Sequence, residues 1–191
     1  MSEETQIYRL EGVGTLSFGP PHISRFAALL YNPHMRVLSI DPGFGRCGVA
    51  VLEKIKGKET LLQSECIVTS PTQTFPERLS EVVRVCTALL EKHHPDAIAL
   101  EKLFFNNNQK TAMQVAEVRG ALIGMAGTAG LPVSEYTPMQ VKNATTGFGG
   151  ADKKQIAKML HILVKIDKTI QHDDEYDAIA VGITHLAHSR A

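Results

Sequence analysis

"VLSIDPGFGRCGVAV", Val37 to Val51, is the stretch on which the fold turns. An apolar run ends in Asp41. Pro42 and Gly43 force a tight turn, and a second apolar run returns from Cys47. A carboxylate at the end of a strand that reads as buried allows three readings. It closes an Asx-type turn, faces a phosphate, or holds a metal ion. The residues farther along the chain narrow the choice.

Outward from this hairpin the elements follow in order. Arg36 to Ile40 reads as the first strand, Cys47 to Leu52 as the second and Thr60 to Val68 as the third, with connections short enough for an antiparallel meander. A helix follows over about 75–93, opened by the Thr-x-x-Glu box of Thr74 and Glu77 with Pro76 in its first turn, and ended by Pro95. Leu79, Val82, Val83, Cys86, Leu89 and Leu90 recur on it at helical spacing. "DAIALE", Asp96 to Glu101, is a fourth strand. A long helix over about 108–129 is closed by Gly130, and "LPVSEY" is a fifth strand. Thr137-Pro138 starts a short helix. The glycine-rich "TTGFGG" leads to a helix over about 152–164, for which Asp152 and Gln155 form a capping pair. A last helix covers about 174–189. The pattern predicts an α/β fold: a mixed five-stranded sheet flanked by helices on both faces.

The 191 residues suit one ordinary domain with a real core. A chain that is 43% hydrophobic and 21% charged is not expected to be disordered. Lys+Arg and Asp+Glu both total 20, so any surface for an anionic partner has to be local. Cys47, Cys66 and Cys86 form no CxxC pair, and each sits in an apolar run. They read as buried free thiols in a reducing, cytoplasmic compartment rather than as disulfides or zinc ligands. No apolar run reaches the ~18 residues of a membrane span, and no membrane partner is expected. Residues 1–34 have Gly-Pro-Pro and Asn-Pro breakers, no sustained period and no basic leader. They read as an N-terminal extension upstream of a start at Met35, immediately before the first strand, or alternatively as an arm that packs on the domain, with 35–191 as the folded domain.

Four acids then stand where acids are costly unless used. Asp41 ends the first strand and Glu101 the fourth. Asp174 and Asp177 open the last helix, three residues apart and so on one face. Each has a plain alternative: a turn aspartate, a strand-end ion pair, an N-cap, a first-turn acid that suits the helix dipole. Yet Asp177 borders the nearly unbroken apolar face of Ile179, Ala180, Val181, Ile183 and Leu186, where an unpartnered charge is expensive. A right-handed crossover would set the first and fourth strands side by side and bring Asp41 next to Glu101. Four converging carboxylates without four basic partners call for hard divalent cations, Mg²⁺ or the alternative Mn²⁺. Two such ions about 4 Å apart are a known device for phosphodiester hydrolysis. A local basic stretch supports an anionic substrate: Lys142, Lys153, Lys154, Lys158, Lys165 and Lys168 stand against Asp152 and Asp167. Its plain alternative is a solvated helix face.

Five blocks, "IDPGFGRCGVAV", "AIALEKLFF", "EVRG", "TPMQVKNATTGFGGADKKQI" and "DDEYDAIAVGITH", resemble in content and order the RuvC family of Holliday-junction resolvases. The resemblance covers about 35–188. It implies an RNase H-like fold, a bacterial cytoplasmic homodimer, and an Mg²⁺-dependent endonuclease that makes paired symmetric nicks in four-way DNA junctions during recombination and repair. It also implies two Mg²⁺ ions per site and a branch-migration complex of RuvA and RuvB as partner. On matching positions, Asp41, Glu101, Asp174 and Asp177 correspond to the catalytic, metal-holding carboxylates. Lys142 and Lys153 match basic residues near the site. Phe104 matches an aromatic suited to stacking on a base at the junction centre. Lys154 adds a DNA-binding cation, and Lys153 a charge beside the reacting phosphate. Arg119 reads as structural. Arg46 and Cys47 depart from the family pattern.

Three rival readings are weaker. A two-domain phosphate-binding ATPase also begins with strand, Asp, Gly and hairpin, but it needs a second phosphate loop and a longer chain. A non-catalytic junction-binding module would not need all four acids. A related nuclease acting on RNA fits the basic stretch and Phe104 less well.

Overall fold

The computed structural model describes residues 34–102 and 109–189. Phe104 lies outside them, as does the 1–33 segment. The elements are β1 (His34–Asp41), β2 (Arg46–Ile55), β3 (Lys58–Val68), α1 (Phe75–His93), β4 (Ala97–Glu101), α2 (Gln109–Thr128), β5 (Val133–Tyr136), α3 (Pro138–Thr146), α4 (Lys153–Leu163) and α5 (Asp173–His188). The sheet order is β3-β2-β1-β4-β5. β1, β2 and β3 form the expected antiparallel meander, while β4 and β5 add in parallel beside β1. The mixed five-stranded sheet with helices on both faces is as expected from sequence.

The caps form as the sequence reads. Glu77 accepts hydrogen bonds from the Thr74 N–H and hydroxyl. Asp152 accepts from the Gln155 N–H at 2.8 Å, so α4 starts one residue later, at Lys153. Gly130 takes the left-handed φ of 67° that ends α2. The last helix differs from expectation. It begins at Asp173 with His172 as N-cap, so Asp174 is not a cap. Both of its first two acids lie inside the helix's first turn, where the exposed N–H groups favour negative charge.

Side-chain alternation along the strands divides the core in two. Leu38, Ile40, Cys47, Val49, Val51, Ile98 and Leu100 face α1 and α2 through Val82, Cys86, Leu89, Val118 and Leu122. Val37, Ala50, Leu52 and Ala99 face α5 through Ala178, Ile179, Val181 and Leu186, with α3 and α4 completing that layer through Val141, Ile156 and Leu160. Ser39 lies on the α5 side as well, where its hydroxyl donates to the Ala50 carbonyl. Gly182 lets α5 come this close: a Cβ there would stand 2.3 Å from Leu52 Cδ1 and 2.7 Å from Ser39 Oγ. Cys47 and Cys86 are buried free thiols as expected, but Cys66, on the α5 side, is only partly buried. Among the described residues no helix is long and apolar enough to cross a membrane.

Candidate active site

The same alternation builds the site. Positions 37, 39 and 41 of β1 point toward α5, and so do 99 and 101 of β4. β1 and β4 pair in parallel up to Ile40 with Leu100, so the next residues, Asp41 and Glu101, leave the sheet side by side. The crossover through α1 thus sets β4 beside β1, as the sequence reading required. There the two carboxyl groups lie close enough to act on one another's ionisation.

Asp174 and Asp177 arrive from α5. Asp41 pairs in register with Gly48 of β2, and a Cβ on Gly48 would stand 1.8 Å from the Asp174 carbonyl oxygen. Only glycine lets the first turn of α5 settle over that end of the sheet. Gly43 plays a similar part in the hairpin, where a Cβ would fall 2.0 Å from the Arg46 carbonyl oxygen. These contacts bring together all four carboxylates picked out from sequence.

Their electrostatics are those of anions crowded in a sheltered place. The Asp41 carboxyl is pushed well above the usual range by burial, then by Glu101, Asp177 and Asp174. Burial raises Glu101 to about 7, and the charge of Asp177 adds to this. Burial also raises Asp177, against the pull of Lys153. Such a set becomes fully ionised at neutral pH only when positive charge is brought to it.

Two cations already stand at its edge. Lys153, the first residue of α4, binds Asp173 and lies 3.1 Å from Asp177. Burial opposes its charge, but the bonds to Asp173 and Asp177 outweigh that and hold its pKa above the ordinary value. Arg46, the first residue of β2, has its Nε 3.0 Å from Asp174 Oδ2 and its guanidinium 3.9 Å from Asp173. Asp174 Oδ2 is buried and, despite that proximity, receives no aligned hydrogen bond. Asp173 was not singled out from sequence. Its spacing of four from Asp177 on one helix face was the available signal.

The remaining sequence-stated residues distribute as follows. Lys154 is exposed and Lys142 is half-buried on α3, and neither makes an ion pair among the described residues. The basic stretch is not one surface. Lys165 pairs with Asp167 at 2.7 Å, and Lys168 is tied to the Ser64 carbonyl and to the buried Glu175. Lys168 is structural, whereas the Lys165 pair is local and exposed. Arg119 of α2 binds Glu135 of β5, in keeping with its structural reading.

Hard oxygen donors fit a divalent cation. The donor set here is all carboxylate and includes a buried oxygen without a hydrogen bond, and burial and then mutual repulsion raise the pKa of Asp41 and Glu101. Among the described residues no three acids, histidines or cysteines are grouped to hold a metal ion as they stand. Asp41, Glu101, Asp174 and Asp177 meet at one end of the sheet, near enough to repel one another, and Arg46 and Lys153 stand at the edge of the cluster.

Comparison with known proteins places the chain among relatives of one family. The family model described as "Crossover junction endodeoxyribonuclease RuvC" matches residues 37–185. The chain is 44% identical over 151 residues to the crossover junction endodeoxyribonuclease RuvC of Brevibacillus brevis, covering 79% of this chain and 91% of that one. It is 41% identical to the counterpart in Syntrophomonas wolfei, covering 80% and 88%. Among solved structures, Thermus thermophilus RuvC in complex with a Holliday junction substrate superposes with a TM-score of 0.76 at 34% identity, covering 82% of this chain and 95% of that chain.

Proposed function

The chain belongs to the RuvC family of crossover junction endodeoxyribonucleases, and from that premise we propose that Asp41, Glu101, Asp174 and Asp177 are its catalytic, metal-holding carboxylates. As a member of that family it has the RNase H-like fold. It is a Holliday-junction resolvase, a nuclease of recombination and repair that hydrolyses phosphodiester bonds with the help of a divalent metal. The observation that carries the residue assignment is the meeting of Asp41 and Glu101, from adjacent parallel strands, with the first turn of α5.

Mg²⁺ is the ion this set suits, with Mn²⁺ as a substitute, and Asp41, Glu101, Asp174 and Asp177 would hold two such ions per site. When bound, the ions supply an activated water and stabilise the leaving oxygen. The protein's own groups do the rest. Gly48 and Gly43 hold the acids in place. Lys153 keeps a protonated amine beside Asp177, exposed to solvent where a phosphate could meet it. Lys142 and Lys154 extend positive charge along the DNA, and Phe104 is the stacking residue at the junction centre.

A resolvase must cut two opposed strands, which a homodimer with two such sites accomplishes. The exposed face of α2 supports this. Gly120, Gly124 and Gly127 lie on it with nothing near where a Cβ would stand, a surface that admits a second helix closely. Residues 35–191 are the resolvase domain and 1–34 an extension. The setting is the bacterial cytoplasm, with the branch-migration complex of RuvA and RuvB as partner.

The test is cleavage of a synthetic four-way junction in Mg²⁺. Asp177→Asn should lower the rate by roughly 100-fold or more, the scale of losing one electrostatic stabiliser in a sheltered site. Equal cutting by the variant and the wild type would remove Asp177 from the assignment. Equal cutting of plain duplex would remove the junction preference.

A further inference from the structure

Arg46 opens β2 at the edge of the acid cluster, and its surroundings give it a purpose. Side-chain alternation along β2 explains why it is at the site. Position 46 shares the α5 side with Gly48, Ala50 and Leu52, whereas Cys47 points into the opposite core. From there the guanidinium reaches Asp174 and Asp173.

The contact with Asp174 is close but loosely made. Nε lies 3.0 Å from Oδ2, yet that buried oxygen receives no aligned hydrogen bond. Arg46 itself is half exposed, with a side-chain accessibility of 50%. A half-exposed ion pair without a directed hydrogen bond is worth little and is readily exchanged. Asp173 is likewise half exposed. It touches Lys153 closely and Arg46 at 3.9 Å, so the two cations flank one acid at the edge of the cluster.

We propose that Arg46 is an exchange residue, neutralising Asp174 until a divalent cation takes that carboxylate, and then turning outward to pair with a junction phosphate beside Lys153. The proposal rests on the metal-nuclease reading above and adds a residue to it. Asp174 Oδ2 is buried, and the guanidinium 3.0 Å from it takes up the approach that a divalent cation would need, so the arginine competes with the metal. Once displaced, its fork matches phosphate oxygens better than a lysine would. Metal loading and DNA binding are thereby coupled through one side chain, and such coupling is reciprocal.

The experiment uses the full chain and the variant Arg46→Gln, whose half-exposed position should leave the thermal melt near that of wild type. Mn²⁺ affinity is measured by electron paramagnetic resonance without DNA. Junction affinity is measured in Ca²⁺ over a range of salt. Removing the competitor should tighten Mn²⁺ binding about 3- to 10-fold. Junction affinity should weaken by a comparable factor, with its logarithmic salt slope reduced by about 1. Arg46→Lys should recover the salt slope, because it restores the charge.

If wild type binds no Mn²⁺ or leaves the junction uncut, the metal-nuclease reading falls and the exchange with it. If wild type binds and cuts, but Arg46→Gln leaves either Mn²⁺ affinity or junction affinity unchanged, the exchange alone is overturned.

Discussion

Asp41 and Glu101 show how much a single carboxyl group costs this protein. Each is a strand-end acid held among other acids, and both are raised by burial first and by neighbouring charge second. For Glu101 the folded value is about 7 against an ordinary 4.5. Between those values the native state binds more protons than the unfolded chain. The group's contribution to stability is therefore complete below the ordinary value and is lost as pH rises through about 7. Metal-free protein should become easier to unfold over that window, by up to about 1.4 kcal/mol per pH unit from this group. Urea unfolding in chelator at several pH values measures the slope. Glu101→Gln should flatten it, leaving the share due to Asp41. A slope identical to wild type would mean that Glu101 is not shifted by its surroundings.

At the level of elements, the site depends on how closely α5 lies against β2. Gly48 makes that approach, and a methyl group in its place meets the Asp174 backbone, which cannot yield as a flexible side chain would. Gly48→Ala should therefore lift the first turn of α5, with a loss of about 1–3 kcal/mol as in other overpacked positions. Junction cleavage should fall further than stability does, because Asp174 and Asp177 move with the turn. The denaturation midpoint and the cleavage rate, taken on one preparation, separate the two effects. This close contact also marks where sequence reading stops. The order of strands and helices was legible because each has local signals: the capping pairs Thr74 with Glu77 and Asp152 with Gln155, Pro95 after α1, Gly130 after α2. The meeting of Asp41 with Glu101 was legible too, since a right-handed crossover leaves little choice. The start of α5 was misplaced by one residue because His172 is an unremarkable cap, and Asp173 was overlooked beside its neighbours. The partition of the six lysines was hidden as well. Lys168 finds Glu175 and Ser64 across the fold, and nothing local announces such contacts.

Across the whole molecule, the four acids come from three distant parts of the chain and from both the sheet and its α5 cover. Any cation they hold in common joins those parts, while their repulsion pushes the same parts apart. Divalent metal should thus stabilise the entire domain rather than a local loop. A ligand that binds only the folded state adds about 2.7 kcal/mol at a concentration 100 times its Kd. A domain of this size should then show a rise in Tm of several degrees between chelator and saturating Mg²⁺. Asp41→Asn provides the sharper form of the prediction. The variant loses a carboxylate that burial and three neighbouring acids disfavour, so in chelator it should melt higher than wild type, by an amount on the order of 1–2 kcal/mol. It should also lose most of the Mg²⁺-induced rise and the cleavage activity together. Wild type would then be the less stable protein without metal and the more responsive one with it. If Asp41→Asn melts lower than wild type in chelator, the strain attributed to the acid cluster is absent. If it keeps the full Mg²⁺ shift, the ion is held elsewhere.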